Sequence, residues 1–261
     1  MAPNPKREMD IVDAANSLKT LFLAQNLTMT AMLLPGSPVL QAYHEMLGSP
    51  PDSDLPIDLM KRDTDEGLRF SAKQAFDYVQ KLPSLKVQKN ILAGPMLSGA
   101  LTIGNLLIDG SLIDPTDPLT QFAKHFRNAA AHGDKWHFDA KEPRYPAHTA
   151  NVKLDRSFQN RRATFETVGP YEYFTYLDEI VVFAGRMAVE KAVTIAYRNR
   201  ANKNPAELHA SLEREFEARG IKYSDPSIQT NIAFYSSQIF NGINPKVRVT
   251  PKEYPLLDSE H

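Results

Sequence analysis

DPLTQFAKHFRNAAAHG, residues 117–133, is the stretch on which the fold of this 261-residue chain turns. Asp117 is an N-cap residue type, Pro118 suits a first helical position whose amide goes unused, and Gly133 suits the residue just past a helix end. A helix over 118–132 follows. Leu119, Phe122, Ala123, Phe126, Ala129 and Ala130 fall at i, i+3, i+4, i+7, i+10 and i+11, which at about 100° per residue forms one apolar stripe. With that stripe turned inward, Arg127 lies on its edge, and Lys124, Asn128, Ala131 and His132 project from the opposite side.

Upstream, Ile11, Ala15, Leu18, Phe22 and Leu27 are spaced by three to five, a helical pattern over 9–33 that Pro35-Gly36 stops. Ser37 as N-cap, Pro38 at the first position and Gly48 at the close predict a short helix. Residues 49–67, rich in Pro and Asp, read as a loop. Phe70, Ala75, Tyr78 and Val79 predict an amphipathic helix over 68–82. Residues 85–110 are apolar on most sides and carry Gly94, Ser98, Gly99 and Gly104, which predicts a buried helix interrupted near Pro95. Gly94 to Gly99 has the G-x-x-x-x-G spacing, but Ala100-Leu101 stand where a phosphate loop needs Lys-Ser/Thr, so the glycines read as close helix packing.

Downstream, HTANVKL (148–154) and RRATFETV (161–168) alternate apolar and polar residues and predict a β-hairpin over 148–168. A long helix from 170 to about 199 carries Leu177, Ile180, Val181, Ala184, Met187, Ala188, Ala192 and Ile195 on one stripe. Asn204-Pro205 opens a helix that closes at Gly220, and Asp225-Pro226 opens another that closes at Asn241-Gly242. The tail from 244, with three prolines and no periodicity, reads as an extended arm. The expected fold is mainly α, a helical domain over 1–200 with a small β-hairpin insertion, then a C-terminal helical extension and tail over 201–261.

Composition narrows the chemistry. With no Cys, a disulfide scaffold, a thiolate zinc site, a cysteine-ligated cluster and a cysteine nucleophile are all excluded. The 30 basic and 31 acidic side chains nearly cancel, so any nucleic-acid contact must come from local patterning. The start MAPNPKREMD is polar, and neither a signal peptide nor a membrane span is expected, which leaves a cytoplasmic protein with no membrane partner. His125, His132, His137 and His148 with Asp134 and Asp139 match no metal-ligand spacing, so no metal and no cofactor is expected.

Asn128 and His132 are i,i+4 neighbours, whereas Arg127 and His132 stand about 140° apart and must converge by side-chain reach, by a loosened last turn, or across a symmetric partner. Ala131 leaves a notch between them. A guanidinium, an imidazole and a carboxamide around a notch suit a phosphodiester, since Arg forks onto phosphate oxygens and His both takes and gives a proton near neutrality. A plainer reading exists: the helix dipole favours His in a last turn, and Arg on a helix edge commonly snorkels.

RNAAAH, Arg127 to His132, resembles the R-x(4-6)-H motif of the HEPN superfamily, in which a polar residue, often Asn, follows the Arg. The resemblance extends in pattern over roughly 65–200 and is specific over those six residues. It implies a metal-independent endoribonuclease, a toxin or defence effector, acting as a homodimer whose two motifs face one another. Arg127 would stabilise charge on the phosphate, His132 would move a proton, and Asn128 would orient His132 or a phosphate oxygen. The products would carry 2′,3′-cyclic phosphate and 5′-hydroxyl ends. One His per chain hardly supplies both base and acid, and a two-fold dimer supplies two.

Lys124 on the open side of the helix, Trp136 as a base-stacking ring, and Arg161 and Arg162 in a locally basic hairpin are further candidate RNA contacts. Trp136 reads equally as packing for the turn after Gly133. An antitoxin or regulatory protein is a candidate partner. The alternative reading is a non-catalytic HEPN module that binds a nucleotide or another protein.

Overall fold

The computed structural model describes residues 7–33, 38–50, 53, 56–60, 67–71, 77, 81, 84–139, 141–198 and 205–221. In chain order these hold α1 (Arg7–Leu33), α2 (Pro38–Leu47), β1 (Pro56–Met60), β2 (Gly67–Ser71), α3 (Ser84–Asp109), α4 (Pro118–Ala131), β3 (Ala147–His148), β4 (Lys153–Leu154), a 3-10 turn (Arg156–Phe158), α5 (Pro170–Arg198) and α6 (Pro205–Ala218). The fold is mainly α. Proline begins α2, α4, α5 and α6, where the first turn leaves an amide unused, and the glycines beyond α2 and α6, Gly48 and Gly220, take φ of 60° and 74°. Ser37, Pro35-Gly36, the helix expected over 225–242 and the tail lie outside the described residues.

The chain divides into two units, residues 20–96 and residues 1–19 with 97–261. In the smaller unit, β1 and β2 pair antiparallel, with Ile57 opposite Phe70 and Leu59 opposite Leu68. Two expectations are corrected here: strand occupies part of the loop expected over 49–67 and the start of the helix expected over 68–82. The apolar residues of both segments are spaced by two, the strand period, and the pairing sets them opposite one another. Beyond Ser71, most of 72–82 lies outside the described residues.

Helix α3 is not interrupted at Pro95 and runs through it, since a proline removes one amide donor without always ending a helix. Its Lys89–Asp109 stretch is long and apolar enough to cross a membrane by length and composition, against the expectation of no such segment, and half of it is buried within the protein. Its glycines explain the packing. A Cβ at Gly104 would strike the Cβ and Cγ of Arg127, and one at Gly99 would strike the Tyr173 ring, so α4 and α5 approach α3 where it has no side chain.

The larger unit is built on aromatic contacts. Phe122 and Phe126 of α4, Trp136 after it and Tyr176 of α5 pack with ring centroids 5.5–6.0 Å apart. Farther along α5, Ala188, Ala192 and Ala196 receive Leu208, Leu212 and Phe216 of α6, so the C-terminal extension shares a core with the long helix. Lys19 of α1 donates to Asp178 of α5 at 2.7 Å, and Lys191 pairs with the buried Glu8.

The expected β-hairpin is smaller than 148–168. Ala147–His148 pairs with Lys153–Leu154, and the turn is closed by Thr149 Oγ1, which accepts from the amides of Asn151 and Val152 at 3.2 and 3.1 Å. Residues 161–168 do not form its second strand. Arg162 instead bridges to Lys135, and the Asp134 side chain fixes the segment by hydrogen bonds to Thr164.

Candidate active site

Asp117 caps α4 by accepting from the Thr120 amide at 3.0 Å, and its carboxylate also lies 3.5 Å from Arg186 of α5. The far end is closed by His132, whose amide donates to the carbonyls of Asn128 and Ala129 at 3.0 and 3.3 Å, and by Gly133 at φ 75°. Phe122, Ala123, Phe126 and Ala129 of the expected stripe are fully buried. The polar candidates are therefore held along the last turns of a helix whose register its core fixes.

Arg127 and Asn128 are brought together. Arg127 Nη1 donates to Asn128 Oδ1 at 3.4 Å, and its Nε donates to Asn105 Oδ1 of α3 at 3.0 Å. Two of the five guanidinium donors are thereby engaged, which orients the planar group and leaves the others for an anion. His132 is exposed at the helix cap, and among the described residues its ring makes no hydrogen bond to the side chain of Arg127 or Asn128. Its ring lies instead beside that of His137, with centroids 5.7 Å apart.

The secondary candidates separate. Lys124 Nζ is 3.0 Å from Glu142 Oε1. Burial opposes ionisation of Glu142, but the hydrogen bond and charge of Lys124, with His125, outweigh it and hold the carboxyl below its ordinary value. The neighbouring His125 is buried against Phe138, its Nδ1 has no hydrogen-bond partner among the described residues, and burial lowers its pKa. Trp136 is not a stacking platform: it is 0% exposed, and its indole donates to Thr167 Oγ1 at 3.0 Å. The large apolar ring closes the core behind the turn, which overrides any role at an open mouth.

Arg161 is exposed, its guanidinium 5.6 Å from the centroid of the Phe158 ring, and Arg162 Nε donates to Asp134 Oδ2 at 2.6 Å. A cleft of about 450 Å³ is lined by Gly133, Asp134, Lys135, Asn160, Arg162 and Glu166. It begins at the residue after His132, and its cations are offset by two carboxylates. Among the described residues, no group of three or more His, Asp or Glu is placed to hold a metal ion.

Two members of this site escape a helix-based reading. Asn105 is a distant residue on α3, and nothing in the local sequence pairs it with Arg127. His137 had a signal: in KWHFD, Trp136 and Phe138 alternate with Lys135, His137 and Asp139, and the apolar pair is buried while the other three are exposed. Comparison with protein-family models, with curated proteins and with solved structures gives no match.

Proposed function

We propose that this chain is a metal-independent endoribonuclease of HEPN type, a cytoplasmic toxin or defence effector that acts as a homodimer and answers to an antitoxin or regulatory protein. The observation that carries the reading is the orientation of Arg127 by Asn105 and Asn128, five residues before an exposed His132. A guanidinium with free donors stabilises the charge that develops on a phosphate during displacement. An exposed imidazole accepts or supplies the proton. The attacking group is the ribose 2′-hydroxyl, and the products are a 2′,3′-cyclic phosphate and a 5′-hydroxyl end; DNA lacks that hydroxyl and is not cut.

The deciding experiment incubates single-stranded RNA with the purified chain in EDTA and weighs the fragments by mass spectrometry. Cleavage with cyclic phosphate ends, lost in both His132→Ala and Arg127→Ala while each variant keeps its helical circular dichroism, supports the proposal. Cleavage abolished by EDTA points to a metal hydrolase. Binding of RNA without cleavage points to the non-catalytic module.

A further inference from the structure

Two exposed imidazoles stand together at the end of α4. The ring centroids of His132 and His137 are 5.7 Å apart, with their planes inclined at 46°. The backbone beneath each is fixed. His132 is held by its amide bonds to Asn128 and Ala129, and the Asp134 amide also donates to Ala129 at 2.9 Å. His137 sits between two clamped residues: the Trp136 amide donates to Arg161 and its carbonyl accepts from Asn160, while the Phe138 amide donates to Gln159 Oε1 at 2.8 Å. Buried Trp136 and Phe138, stacked with planes 2° apart, lock the alternation that turns His137 outward. Asp139 Oδ1 lies 3.9 Å from His137 Nε2, within ion-pair reach of the protonated ring.

We propose that His137 is the second proton-transfer residue of this site, the general acid that partners His132 as general base. The inference rests on the ribonuclease reading and removes its main chemical gap, because each chain then carries its own acid and base. The displacement needs both at once: one group must take the 2′-hydroxyl proton while another protonates the departing oxygen. His132 takes the proton as O2′ bonds to phosphorus, the P–O5′ bond breaks, and His137 gives its proton to O5′. Arg127 holds the non-bridging oxygens. The two rings have then exchanged protonation states, and water resets them. Rings at this spacing, free to turn on fixed backbones, let one phosphate group hydrogen-bond to both at about 2.6–3.2 Å.

The test compares the full-length protein with His132→Ala, His137→Ala and His137→Gln on two RNA oligonucleotides, one natural and one with sulfur replacing the scissile 5′-oxygen. Sulfur leaves without protonation, so it bypasses a general acid. His137 is 58% exposed, so its replacement spares the core. Both His137 variants should lower kcat on natural RNA by about 100-fold or more with KM little changed, and should lose one limb of the pH–rate profile. On the sulfur-linked RNA they should approach the unsubstituted protein, while His132→Ala stays impaired on both. Unchanged kcat and pH profile in the His137 variants, or equal losses on the two substrates, would overturn the acid role and leave the ribonuclease reading standing. Failure of the unsubstituted protein to cut either RNA would overturn both.

Discussion

Asp134 and Thr164 are joined twice: the Thr164 amide donates to Oδ1 at 2.8 Å and the hydroxyl to Oδ2 at 2.5 Å, across 30 residues of chain. Arg162 Nε adds a third bond at 2.6 Å. One carboxylate thus pins residues 161–168 to the turn that follows His132. Asp134→Ala leaves the buried Thr164 amide without an acceptor and should cost about 3 kcal/mol. Asp134→Asn keeps an acceptor and tolerates the left-handed φ of 66°, so it should cost less. Urea unfolding of the two variants checks the order; an Ala variant within about 0.5 kcal/mol of the unsubstituted protein would refute the role.

Gly104 is where α3 makes room for Arg127. Gly104→Ala should push the Arg127 side chain off Asn105 and destabilise the fold by about 1–3 kcal/mol through overpacking. RNA cleavage should fall with it, although His132 is untouched. Asn105→Ala separates the two effects: it removes the orienting bond with no new volume, so kcat should fall while the thermal midpoint holds. A Gly104→Ala protein as stable and as active as the original would show that this approach is not tight.

Trp136 is the only Trp, so its fluorescence reports one place. A fully buried indole bonded to Thr167 should emit at short wavelength, resist quenching by iodide and ignore added RNA. Quenching on RNA binding would restore the stacking role that its burial contradicts. Trp136→Ala should cost about 3–5 kcal/mol, the usual loss for a large aromatic ring in a core.

His125 couples stability to acid. Burial, against the opposing pull of Glu142, lowers its pKa from the usual 6.5. In that case the unfolded chain binds the proton first as pH falls, so the stability from the neutral ring is complete above about 6.5 and is lost as pH drops toward the folded value. Glu142, also lowered, contributes in a separate window that opens only below its usual 4.5. Unfolding free energies measured from pH 7.5 to 5 should decline, and His125→Phe, which can pack on Phe138, should flatten that decline. An equal slope in the variant would assign the effect elsewhere.

Local signals carried far in this sequence. Asp117, Pro118 and Gly133 marked both ends of α4, and four of the six residues on its apolar stripe are fully buried, Leu119 and Ala130 being half-buried. Pro170 and Pro205 marked the starts of α5 and α6. The misreadings have a common cause in tertiary pairing. Leu68 and Phe70 fit either period until Leu59 and Ile57 lie opposite them. Arg161 to Val168 alternates like a strand, yet a single distant carboxylate takes the amide that a hairpin partner would have used. At the candidate site, the helix wheel paired Asn128 with His132, whereas the Asn128 side chain accepts from Arg127 instead. The wheel was blind to Asn105 and to His137, which arrive from another helix and from beyond a glycine turn.

The pairing of buried Glu8 with Lys191 spans 183 residues, and that of Lys19 with Asp178 spans 159. A charge that is stable out of water only beside its partner must wait for that partner to be synthesised. On the ribosome, residues 7–19 should therefore stay unseated until nearly three-quarters of the polypeptide has been made. Nascent chains stalled before residue 178 should expose residues 7–19 to protease, and those stalled well past 198 should protect them. Were the chain the ribonuclease proposed above, such late closure would keep the unfinished polypeptide harmless to the message that encodes it.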